Sequence, residues 1–208
     1  MRSGALLFLA AAFAWPQAGP SLNSINEKEA RRMVVSMLAK GQVGGSWDGR
    51  VTSTDRSYNY KLRATWITAD VVLGAARLLM LAKGFSDLQA REVLDAANSP
   101  DSWLVLVELD PREGSGVIPR DWTARFGPRQ DESRQVPGQE VAGQGVWKSL
   151  LSAFPRDYSY DVFLMKFPRN GPGGGPLLEA GASEAELVVR IYNKVGRVRW
   201  KIPAGLPH

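Results

Sequence analysis

The sequence predicts an α+β fold, with N-terminal helices packed on one face of a mostly antiparallel sheet of about four to six strands. Three observations lead there. Apolar residues recur at helical spacing across much of the first half of the chain. From residue 103 onward they gather instead into short β-branched and aromatic runs. Helical segments come first and strands follow, an order that suits helices laid against a sheet better than alternating βαβ units. At 208 residues, 44% hydrophobic and 23% charged, the chain has the size and composition of one globular domain. The expected organisation is therefore a leader over 1–20 and a single domain over 21–208.

The leader reads MRSGALLFLAAAFAWPQAGP. Arg2 supplies a positive start, Ala5 to Trp15 an uncharged apolar run, and Ala12-Phe13-Ala14 an A-x-A cleavage pattern, with Ala18 as a later site. This is the layout of a cleavable secretory signal peptide. The apolar run is too short for the roughly 20 residues that cross a bilayer. The expectation is an exported protein, periplasmic or extracellular, with no stable membrane span once the signal is removed. The cysteine count of 0 leaves no thiol for a lipid anchor or a disulfide framework. Stability must then come from a packed core.

The first helix is expected over 25–40, opened by the capping box Ser24-x-x-Glu27 and striped by Ala30, Met33, Val34, Met37 and Leu38. Lys40 and Gly41 close it. Residues 41–64 read as a loop with one or two short strands, with Asp48-Gly49 as a turn and alternation at Tyr58, Tyr60 and Leu62. A second helix over 66–83, capped by Thr65 or Thr68, is apolar nearly all round and so is expected to be buried. Gly84 ends it. Ser86-x-x-Gln89 is a second capping box and opens a third helix that Asn98-Ser99-Pro100 stops.

Strands are expected at 103–109, 160–167, 186–192 and 197–202, the last two joined by Asn193-Lys194-Val195-Gly196. The first of these is almost continuously apolar, as a central strand covered on both faces would be. Residues 127–145 and 169–183 are rich in Gly, Pro and polar residues and read as mobile surface loops.

Three groups of residues are candidates for function. The first is an acidic loop after the central strand, with Glu108, Asp110, Glu113, Asp121 and Trp122. Two carboxylates at the right separation can act as general acid and base on a glycan, with Trp122 as a stacking platform. Against this, Asp110-Pro111 and Gly114 to Gly116 are ordinary turn chemistry, and local arginines can pair the acids. The second is the terminal hairpin. Arg197, Arg199 and Lys201 alternate with apolar residues, and Arg190 and Tyr192 share the outward face of the preceding strand. Together they would make a basic patch suited to an acidic protein or an anionic polymer. A solvated sheet face shows the same alternation. The third is Arg156-Asp157-Tyr158-Ser159-Tyr160-Asp161 and its echo Asp55-Arg56-Ser57-Tyr58-Asn59-Tyr60, which suit either recognition or strand entry.

The single histidine is His208, so no internal His can activate a nucleophile. Ser115 has no such partner, and Gly171 to Gly175 lacks phosphate-loop spacing. The acids do not follow a calcium-loop pattern, so neither metal nor cofactor is expected. A net charge of +5, mixed along the chain, gives no pointer to nucleic acid. The expected role is a non-catalytic binding or scaffolding module. The alternatives are a carboxylate-dependent glycan hydrolase and an electrostatic binder acting through the hairpin.

Overall fold

The computed structural model describes residues 21–44, 59–111, 118–141, 143–179, 181–204 and 206. The leader, the Asp48-Gly49 turn and Glu113 lie outside these.

Helix α1 spans Glu27–Val35, shorter than its apolar stripe suggests. Its cap is Asn26, whose side chain accepts from the Glu29 amide, and not Ser24. Ser24 instead closes a short 3-10 turn, its hydroxyl donating to the Ser21 carbonyl at 2.7 Å. The chain then turns at Ser36 into strand β1, Leu38–Val43. Strand β2, Tyr60–Ile67, takes residues expected at the start of the second helix. Helix α2 follows at Ala69–Lys83, ended by Gly84 in the left-handed conformation. In helix α3, Asp87–Ala97, both halves of the Ser86/Gln89 capping box form.

The remaining strands are β3 (Ser102–Asp110), β4 (Thr123–Pro128), β5 (Val136–Pro137), β6 (Gln139–Glu140), β7 (Asp161–Pro168), β8 (Glu184–Ile191) and β9 (Lys194–Lys201). Helix α4, Val146–Leu151, lies between β6 and β7. The hairpin between β8 and β9 turns at Tyr192-Asn193, earlier than expected, with Ile191 opposite Lys194. Tyr192 takes a φ of 53° there.

The nine strands form one antiparallel sheet in the order β5-β4-β8-β9-β1-β2-β3-β7-β6. This corrects the expected open sheet of four to six strands with helices on one face. The two end members of the order, β5 and β6, are separated in the chain by Gly138 alone. Val136 and Pro137 pair with Phe126 and Arg125 of β4, whereas Gln139 and Glu140 pair with Lys166 and Met165 of β7. The Gly138 amide donates to the Ala124 carbonyl at 2.9 Å and the Val141 amide to Leu164 at 2.8 Å. One short extended segment therefore bridges the two edges and curls the sheet into a nearly closed barrel. Such closure removes the unpaired edges that an open sheet presents. The sequence shows this segment only as part of the irregular stretch 127–145. Two residues on each neighbour are too few for any period to register.

The barrel has its own core. Trp66 sits at its centre, with ring centroids 5.6 Å from Trp103, 5.3 Å from Phe126 and 6.2 Å from Trp200. The pairs are T-shaped, the arrangement the ring quadrupoles favour. The Trp200 indole donates to the Met37 carbonyl at 2.6 Å, which also accepts from the Trp66 amide. Leu177 and Leu178, from the Gly- and Pro-rich stretch 169–183, are buried in the same core. That stretch is pinned by the Asn170–Pro176 bridge and the Leu177 amide bond to Arg169.

A second core lies outside the barrel. Ile67, Leu104, Leu106 and Leu164 point outward from β2, β3 and β7 and meet apolar residues of the helices. All nine residues of β3 are buried, because the barrel covers one face and the helices the other. The α1–α2 crossing is close at Gly74, where a Cβ would stand 2.7 Å from Met33 Cβ and 2.8 Å from the Ala30 carbonyl.

Candidate functional site

The acidic candidates separate. Glu108 and Asp110 are not loop residues but the outward-facing end of β3, both buried. Register places Arg63 opposite Glu108 and Lys61 opposite Asp110. Arg63 donates to Glu108 at 2.5 Å, and Lys61 stands 3.2 Å from Asp110. Arg63 also reaches Asp157 at 3.4 Å and lies over the Tyr160 ring at 3.8 Å. Burial pushes the Tyr160 phenol up from its ordinary pKa, against the pull of Arg63. Both carboxylates thus hold the barrel wall together instead of facing each other across a space for substrate. Asp121 is exposed in the turn before β4. Trp122 packs on Phe163 with centroids 4.9 Å apart, against the barrel core. Its half-buried ring is engaged in this packing. Among the described residues no group of acids is placed to hold a metal ion.

The Tyr-rich segment before β7 also serves the wall. Asp157 and Tyr160 hold Arg63, while Tyr158 is exposed with Arg156 over its ring at 5.2 Å. Most of the echo at 55–60 lies outside the described residues.

The terminal hairpin carries its cations outward on β9, as the alternation implies. Register decides their use. Glu186 of β8 lies opposite Arg199. It accepts from Arg197 and Arg199, each at 2.7 Å, and Arg197 also reaches Glu132 at 2.8 Å. The Gln135 side-chain amide also donates, at 3.4 Å, to the oxygen that accepts from Arg197. Glu186 is almost fully buried beneath these groups. Arg190 is exposed, Lys201 is exposed opposite Glu184, and Tyr192 is exposed at the turn. Within the stripe Glu186 therefore matches Arg197 and Arg199, while Arg190 and Lys201 form no ion pair among the described residues.

Desolvation works to raise the Glu186 pKa, but its hydrogen bonds and attraction to Arg199 and Arg197 outweigh it, leaving the carboxyl below its ordinary value of 4.5. A lowered carboxylate pKa contributes stability that is complete above the unfolded value and fades as pH falls through the folded one. Glu186→Gln is expected to cost about 1–2 kcal/mol near neutral pH, discounted because both arginines are partly exposed. The gap to wild type should shrink steadily below about pH 4. Urea denaturation at a series of pH values measures this, and a gap independent of pH would reject it.

The helical layer contains a groove that the sequence does not single out. It lies between α1, α2 and residues 152–155, with a volume of about 520 Å³. Val34, Val35, Leu78, Leu79, Phe154 and Pro155 form its apolar lining. Val35, one of the lining residues, is 45% exposed. A smaller space of about 160 Å³ shares Val34, Val35, Phe154 and Pro155 and runs on to Leu106, Arg63 and Glu108 on the barrel wall. The two spaces adjoin along these four shared residues. Leu78 and Leu79 read from sequence simply as core, which they partly are. The spacing of Val146, Leu150, Leu151 and Phe154 was the available signal for α4 and its following turn.

A third depression, of about 430 Å³, is polar and its charges serve the fold. Asp131 caps the 3-10 turn at Ser133, and Arg134 pairs with Glu179 at 2.7 Å.

Comparison with family profiles, curated proteins and solved structures finds no match to this chain. No described helix is long and apolar enough to cross a membrane.

Proposed function

We propose that this is an exported, non-catalytic binding module that takes an elongated apolar ligand in the groove between α1, α2 and residues 152–155. The carrying observation is the groove itself. Its volume and apolar lining are those of a small-molecule site. It is framed by two helices and a turn fixed on a barrel wall, a rigid setting that limits the ordering cost of binding. Two further observations support a binder over a hydrolase. Glu108 and Asp110 are each held by a cross-strand cation. Trp122 is packed on Phe163. The leader composition of Arg2, Ala5 to Trp15 and the small residues Ala12, Ala14 and Ala18 supports export.

The test is a titration with Nile red, a neutral apolar dye whose emission reports its surroundings. Saturable binding with one site per chain is the expected result. Ala82→Trp fills the groove from an exposed position on α2 and should weaken binding by about tenfold or more without altering the thermal midpoint. Absence of saturable binding, or binding indifferent to both Ala82→Trp and Val35→Glu, would reject the proposal.

A further inference from the structure

We infer that the groove selects single-chain amphiphiles with an anionic head, a carboxylate or phosphate, held at Arg32 and Lys83 with the apolar chain laid toward Val35 and Phe154. This rests on the groove being a ligand site, as proposed above, and adds what its ligand must carry. The charged side chains that line the larger space are Arg31, Arg32 and Lys83, all cations, with no carboxylate among them. Arg31 is already paired with Glu27 at 2.7 Å, one turn back on α1. Arg32 and Lys83 have no carboxylate partner among the described residues.

The smaller, adjoining space is different. There the two cations Arg63 and Arg156 and the two acids Glu108 and Asp157 sum to zero formal charge, with Arg63 engaging both acids and Arg156 over the Tyr158 ring. Arg63 spends one amino group on each acid. A second anion would meet two carboxylates there, whereas an apolar tail meets Val34, Val35, Leu38 and Leu106 on the way. The adjoining spaces are therefore polarised, with surplus positive charge lining the larger and the shared apolar residues leading to a smaller one whose charges sum to zero. This matches an anionic amphiphile and opposes a cationic one, in the sense that specificity comes from the misfit of the alternative. Arg32 and Lys83 also stand in the last turns of α1 and α2, where they complement the helix carbonyl ends. That role concerns stability and makes no distinction between ligands.

The experiment uses three probes with the same twelve-carbon chain, each below its micelle-forming concentration and each competing with Nile red. They are laurate, dodecanol and dodecylammonium. Laurate is expected to displace the dye about tenfold more effectively than dodecylammonium, with dodecanol between them. In Arg32→Glu/Lys83→Glu that order should reverse, while dodecanol keeps its wild-type potency. Arg32→Gln/Lys83→Gln should erase the preference without reversing it. Both positions are exposed, so the variants are expected to fold. Equal displacement by all three probes, or an order unchanged by charge reversal, would overturn the inference and leave the apolar site standing. If Nile red itself fails to bind, the underlying reading fails first and this one with it. Co-sedimentation with anionic vesicles in the absence of laurate binding would also overturn it, since the occupant is a free amphiphile and not a membrane surface.

Discussion

Gly138→Val is expected to lower stability by about 3 kcal/mol or more, among the largest effects of any single substitution outside the aromatic centre. A Cβ at this position would stand 2.6 and 2.7 Å from two ring carbons of Phe167 and 3.2 Å from Met165 Cε. Something must move, and little can. Phe167 is fully buried and its ring lies 5.4 Å from that of Phe126. If the backbone yields instead, the segment from Val136 to Glu140 lifts off one neighbour. Its hydrogen bonds to β4 or β7 are then lost, each worth about 1 kcal/mol with a further penalty where a group is left buried and unpaired. Gly138→Ala should show a milder form of the same loss. Gly173→Val is the control, because a Cβ there meets nothing within 4 Å. Urea unfolding of the three variants measures the ranking. Hydrogen exchange at Val141 should accelerate in Gly138→Val ahead of global unfolding. Equal stability of Gly138→Val and Gly173→Val would mean that closure through this segment contributes little.

Arg63→Met is expected to cost about 3 kcal/mol, and Arg63→Met/Glu108→Leu to recover at least half of it. The asymmetry follows from burial. The Glu108 side chain is 8% exposed and that of Arg63 20% exposed. Removing the guanidinium strands a carboxylate at the junction of barrel and helical layer, against Leu106 and Phe154. It also releases Asp157 and uncovers the Tyr160 ring. Removing both charges leaves an apolar wall continuous with the outer core, and such replacements are often close to neutral. A thermodynamic cycle of the two single variants and the double variant isolates the coupling. A double variant no more stable than Arg63→Met would show that Glu108 is not the group left uncompensated.

How far the sequence reached differs element by element. Helix α3 was legible because Ser86 and Gln89 act within one turn, and both halves of the capping box form. The end of α2 was equally local, since Gly84 takes the left-handed conformation that favours glycine. Strand β3 was legible through its unbroken apolar run. The start of α1 misled because two polar residues compete for the cap. Asn26 took it, and Ser24 formed a turn instead. Strands β1, β4 and β6 escaped because barrel strands expose one face, and theirs is broken by Lys, Gly, Pro and Glu. The groove escaped for another reason. Its lining comes from α1, α2 and residues 152–155, far apart in the chain, and an exposed Val35 differs from a core Val only in what surrounds it.

The sequence by itself determined the absence of disulfides, the absence of an internal histidine for catalysis, and the alternation that sends Arg197, Arg199 and Lys201 outward. Only the tertiary structure decided what those residues meet. Register put Glu186 beneath two arginines and Arg63 beside Glu108, turning a candidate basic patch and a candidate acidic pair into wall ties. The segment around Gly138 joined β4 to β7 and turned an open sheet into a nearly closed barrel. The physical reason is common to both. Helix caps and strand alternation are set by neighbours within a few residues, whereas strand register, ring closure and groove lining depend on pairings between distant segments that no local pattern encodes.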